Sequence, residues 1–125
     1  MAIRFAIDPR RVYLSGFSNG SMLCHWFAVE SPGIVAAIGA VSGGLSAIPS
    51  EGCARPPAVR IVHGFLDDHV PFEGGVGSAA LDPYEHVAIQ RTESWWRGMG
   101  ATSCGWRRAC PDGRGRHWSL GFTQP

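Results

Sequence analysis

The chain has 125 residues, 45% of them apolar and 17% charged, with a formal net charge of +1. Those values describe a single globular domain and exclude a disordered chain. They give no electrostatic case for a nucleic-acid partner, and no apolar run approaches the ~18 residues that a membrane-spanning helix needs.

Residues 1–7 read as the last turns of a helix or a frayed lead-in, with too little apolar h-region for a signal peptide. The turn Asp8-Pro9-Arg10-Arg11 feeds a strand built on Val12, Tyr13 and Leu14. That strand ends in Gly16-Phe17-Ser18-Asn19-Gly20. Apolar residues Met22, Leu23, Trp26, Phe27 and Val29 then recur at helical spacing up to about Glu30. Strand, G-x-S-x-G and helix form the context in which a serine is held on a tight turn with its hydroxyl exposed. At Gly16 and Gly20 side chains are expected to collide with the adjoining strand or helix.

Ser31-Pro32-Gly33 stops the helix. Val35 to Ser42 is nearly all apolar, as expected of a strand buried on both faces. A loop rich in Pro, Ser and Gly leads to a third strand over Ala58 to His63. Strand, helix, strand, loop, strand predicts an α/β fold with a parallel sheet of about three strands and crossover helices. In such sheets function collects at the carboxyl ends of the strands. The loop Gly74-Gly75-Val76-Gly77-Ser78 lacks the strand context and the lysine of a phosphate-binding loop. Asp82-Pro83 is expected to begin a helix to about Met99, with Ala88, Ile89, Thr92, Trp95, Trp96 and Met99 on its buried face. Residues 105–116 have neither an apolar run nor an alternation, and no strand is placed there.

Of the four cysteines, none are spaced as C-x-x-C, so zinc and thioredoxin readings fail. Cys24 reads as a buried thiol, and one disulfide among Cys53, Cys104 and Cys110 is open if the protein is exported. Four histidines receive structural readings. His25 packs or is solvated, His63 ends a strand and bonds to the loop after it, His69 is exposed, and His86 lies on the surface of a helix.

Two stretches together carry a resemblance. Ile7 to Gly20 resembles the nucleophile region of the polyhydroxybutyrate depolymerase and feruloyl esterase families of the α/β-hydrolase fold. His63-Gly-Phe-Leu-Asp67-Asp-His-Val-Pro-Phe-Glu-Gly-Gly75 resembles their acid loop, H-G-x-x-D-x-x-V-P-[YF]-x-G-G. Trp95 or Trp96 followed by Cys104 resembles the helix and N-G-C that come next. The resemblance spans about residues 5–104 and implies a serine carboxylester hydrolase with no cofactor and no metal. It implies Ser18 as nucleophile, Asp67 as triad acid with Asp68 as its rival, and the Asn19 N–H as an oxyanion donor. It also implies an extracellular enzyme whose substrate is a polyester or a feruloylated polysaccharide. The triad histidine of these families follows a further strand, and here only Gly113 to Trp118 echoes that stretch, which makes His117 the candidate base.

Measured against those families, the chain reads as a C-terminal piece. The strands before the elbow strand are absent, and with them the loop that gives the second oxyanion N–H. Residues 1–104 are taken as a partial α/β-hydrolase domain and 105–125 as an irregular, disordered or frame-shifted tail. Impaired activity and self-association through an open sheet edge are expected. The other readings are a serine peptidase of the same fold and a non-catalytic remnant that binds a partner.

Overall fold

The computed structural model describes residues 5–81 and 83–101, and the backbone of residues 104–109 and 118–122. Strand β1 (Tyr13–Phe17) runs into helix α1 (Asn19–Glu30), which returns the chain to β2 (Ala37–Val41). A loop over residues 42–57 leads to β3 (Ala58–Gly64). The three strands are parallel neighbours, with Leu14 beside Ile38 and Ile38 beside Val59. The predicted α/β class with a three-strand parallel sheet is therefore present. One helix, α1, makes a crossover between these strands, and the link from β2 to β3 is a loop.

Beyond β3 the chain forms a short antiparallel pair, β4 (Gly75–Val76) with β5 (Glu85–His86), then helix α2 (Ile89–Gly98). Strands β6 (Cys104–Ala109) and β7 (Trp118–Phe122) extend the main sheet in the order β1, β2, β3, β7, β6. Both are antiparallel additions, β7 against β3 and β6 against β7. Three expectations are corrected here. Phe5 to Ile7 are not helical. The second helix starts at Ile89 rather than at Pro83. Residues 105–109 belong to a strand, although the sequence there has no alternation of apolar and polar residues. Backbone pairing to β7 sets that strand, and pairing leaves no mark in a hydrophobic pattern.

The core lies between the sheet and the two helices. Ile38, Ala40, Val59 and Ile61 meet Cys24 and Ala28 from α1 and Ile89 and Trp96 from α2. Along β3, Val59, Ile61 and His63 are buried while Arg60 is exposed. Burial on both faces, expected for Val35 to Ser42, gives way over the observed strand Ala37–Val41 to an alternation of buried and half-buried positions. The described helices cover one face of the sheet, and that accounts for the alternation. Cys24 and Cys53 are buried free thiols. Cys53 donates its S–H to the Ala28 carbonyl, 3.7 Å away, so it is not in a disulfide.

Candidate functional site at the carboxyl edge of the sheet

The turn between β1 and α1 is where the chain is most constrained. Ser18 sits at φ 53° and ψ −118°. Only one other non-glycine described residue, Ser42 at φ 50°, has positive φ. Such a backbone conformation costs about 1–3 kcal/mol and persists only where its surroundings fix it. Here they do. The Ser18 N–H donates to the Val41 carbonyl at 2.9 Å, and the Ser18 carbonyl accepts from Met22 N–H at 3.1 Å. A Cβ on Gly16 would lie 2.2 Å from the Gly20 backbone, so that position requires glycine. At Gly20 the space that a methyl would fill is open, so the collision expected there does not arise. Ser18 occupies the position before the first turn of α1, yet its side chain makes no capping hydrogen bond. The hydroxyl thus remains available to the cleft beside it.

That turn is backed by a buried polar arrangement. Ser21 Oγ donates to the Gly43 carbonyl at 2.8 Å. His25 is fully buried, and its Nδ1 accepts from Trp96 Nε1–H at 2.9 Å. That bond fixes the neutral tautomer with the proton on Nε2. Burial holds the ring neutral and lowers its pKa to about 4, against a smaller opposing effect of the Gly43 carbonyl. His25 is therefore a packing residue, one of its two expected readings.

The acid loop follows β3. Asp67 Oδ1 accepts from the N–H groups of His69 (3.0 Å) and Val70 (2.9 Å), closing a tight turn. Asp68 is exposed and pairs with His69 Nδ1 at 2.8 Å. His69 is exposed, as expected, and His63 is fully buried at the end of β3. His63 Nδ1 lies 3.0 Å from the Gly64 carbonyl, so Nδ1 carries the proton that is donated. Burial lowers the His63 pKa, and the nearby Asp67 charge opposes that. Asp67, Asp68 and His69 bring ligand atoms within 4.8 Å of one another. Their hydrogen bonds already account for that proximity within the loop.

A cleft of about 590 Å³ opens between the Ser18 turn and the acid loop. Ser18, Asn19 and Met22 form one wall, His69 and Val70 another, and Tyr84 and His86 a third. The Tyr84 hydroxyl donates to the Ser46 carbonyl at 2.7 Å, tying the β4–β5 pair to the loop after β2. Of the predicted site residues, Ser18 and Asn19 line this cleft. Asp67 lies in the same loop as His69 and acts electrostatically on His86. His117 lies outside the described residues. His86, expected on a helix surface, sits instead in β5, half-buried, opposite Gly75. Tyr84 and Val87 are strand formers, but the stretch Tyr84-Glu85-His86-Val87 has no alternation, and Pro83 as a helix start outweighs them in the linear pattern.

No protein-family model matches the chain, and no solved structure matches it. One curated protein is similar: "Putative esterase NocK" of Nocardia uniformis subsp. tsuyamanensis, 37% identical over 71 residues. The match covers 54% of this chain and 20% of that protein, so the chain spans about a fifth of the length of the curated relative.

Proposed function

We propose that this chain is part of a serine carboxylic-ester hydrolase that acts through an acyl-enzyme on Ser18. The observation that carries the reading is the Ser18 turn. A serine at φ 53° between a strand and a helix, with no cap bond, opens onto a cleft. This is the geometry of a nucleophile elbow. The partial likeness to a protein described as an esterase supports the same class of reaction.

In the proposed reaction, Ser18 Oγ attacks an ester carbonyl while an imidazole takes its proton. The Asn19 N–H, at the start of α1, supplies one donor to the oxyanion. Asp67 is the proposed carboxylate. The finer assignment, a polyhydroxybutyrate depolymerase or feruloyl esterase working outside the cell, rests on the resemblance of residues 7–20 and 63–75. The same elbow serves serine peptidases of this fold, and peptide and ester substrates separate the two.

A fluorophosphonate probe tests the reading. Stoichiometric labelling that disappears in Ser18→Ala is expected. A folded chain that takes no label would sink the proposal and favour a non-catalytic remnant. The outer edge of β1 also bears on assembly. Among the described residues β1 pairs with β2 alone, and Tyr13 and Phe17 are exposed on it. Open edges of that kind recruit further strands. We propose that the isolated chain pairs with a second copy there, and a sedimentation-velocity profile of monomer alone at micromolar concentration would refute this.

A further inference from the structure

Resting on the proposed self-association at the β1 edge, we infer that two copies pair β1 with β1 antiparallel about a two-fold axis at Ser15, with Tyr13 of each copy set against Phe17 of the other. The direction of the backbone groups decides the pairing. The Val12 carbonyl accepts from the Ala36 N–H at 2.8 Å, and the Ser18 N–H donates to the Val41 carbonyl at 2.9 Å. Successive residues of a strand turn their N–H and C=O groups to opposite edges. Residues 12, 14, 16 and 18 therefore serve β2, and Tyr13, Ser15 and Phe17 direct theirs outward. Among the described residues no strand lies on that side to receive them.

A closed dimer is isologous, so the same edge meets itself. Strand β1 has five residues, with Ser15 at the centre. An axis at Ser15, perpendicular to the sheet, makes the new pair antiparallel and overlaps the whole strand. It sets Ser15 opposite Ser15 and Tyr13 opposite Phe17, and each of these is a pair that exchanges both N–H···O bonds. An axis between two residues would set the outward groups opposite residues that bond to β2. An axis at Leu14 or Gly16 would overlap fewer residues and part the aromatics.

The side chains agree with this register. Leu14 packs against the core, so Tyr13 and Phe17 stand on the opposite face, where they are 61% and 69% exposed. Their neighbours in β2 are Ala37 and Val41, too small to cover a ring. Aromatic side chains directly opposed across a strand pair stabilise each other. The strand carries neither proline nor charge, the usual guards of an edge. On the other face α1 packs on both β1 and β2. With strands about 4.8 Å apart, the two α1 helices of a continuous sheet would lie about 10 Å apart, a packing distance for helices. Five paired residues a side are fewer than the roughly 20–30 of a standard interface, so a micromolar dissociation constant is expected.

Cysteine cross-linking of the full chain tests the register, run beside the wild type, whose own thiols set the background. Cα atoms in a pair that exchanges both bonds lie about 5.5 Å apart, within reach of a disulfide. Ser15→Cys is expected to give a covalent dimer on mild oxidation. Tyr13→Cys and Phe17→Cys alone should not, because each lies roughly 14 Å along the strand from its own copy. A mixture of those two should cross-link. Tyr13→Lys should raise the dissociation constant by about tenfold or more in sedimentation, and thermal melts confirm that the variants fold. Undiminished association of folded Tyr13→Lys overturns the aromatic pairing. Cross-linking of Tyr13→Cys to itself, or none by Ser15→Cys in a chain that sediments as a dimer, overturns the register and leaves association at the edge standing. A wild-type chain that sediments as monomer alone, as it would if another of its segments occupied the edge, overturns edge pairing, and the register falls with it. None of these results bears on Ser18, which fluorophosphonate labelling tests separately.

Discussion

Gly16 and Gly20 look equivalent in the motif, but they stand in different surroundings. A methyl on Gly16 would meet the Gly20 carbonyl carbon and oxygen at 2.2 Å, and backbone atoms of the helix start cannot yield locally. Gly16→Ala should therefore destabilise the chain by about 1–3 kcal/mol or more, the range of overpacking, and displace Ser18. Gly20 is in the first turn of α1 with nothing within 4 Å of such a methyl. Gly20→Ala should be neutral or stabilise by up to about 1 kcal/mol, because alanine is the better helix residue. Urea midpoints of the two variants check the contrast, and equal losses would show that the turn is not set by the approach at Gly16.

Helix α2 is held by more than its apolar face. Thr92 is fully buried, and its Oγ1 accepts from the Leu45 N–H at 3.1 Å, which ties the helix to the loop after β2. Gly44 permits this, since a Cβ there would lie 2.6 Å from Thr92 Oγ1. Thr92→Val keeps the shape and orphans a buried N–H, at a cost of about 1–3 kcal/mol. Chemical denaturation measures it, and an unchanged midpoint would mean that the loop finds another acceptor. One turn further on, Trp96 is buried and donates to His25 across to α1. Trp96→Phe removes that donor and leaves the His25 acceptor unmatched, so a loss of about 1–3 kcal/mol is expected in the same assay.

On the scale of the molecule these buried histidines set an acid limit. The His25 pKa falls from 6.5 in the unfolded chain to about 4 in the fold, because burial disfavours its charged form. The unfolded state then binds more protons between those values, so stability is full above about pH 6.5 and is lost as pH falls toward 4. Complete burial makes this worth about 3 kcal/mol at most. His63 and His86 are shifted downward for the same first reason, burial, and add to the trend. Unfolding midpoints should drop between about pH 7 and pH 5. His25→Gln should flatten that slope, and an unchanged slope in a folded variant would assign the acid sensitivity elsewhere.

Much of the candidate site was legible because its signals are local. The glycine at 16, the apolar run before it and the helical spacing after it prescribe a sharp turn at Ser18, whatever the rest of the chain does. The buried face of α2 was legible for the same reason, since Ile89, Thr92 and Trp96 recur at one period. What the sequence could not supply depends on contacts between distant residues. His86 enters the cleft only because β5 pairs with β4 and Tyr84 reaches Ser46, 38 positions away. The difference between Gly16 and Gly20 arises from where β1 meets the start of α1, and no motif records that. Strand β6 is held by backbone pairing with β7, which any residue with an amide can make. A linear pattern carries the preferences of each stretch. It does not carry the distances at which stretches meet, and those distances decide which side chains line the cleft with Ser18.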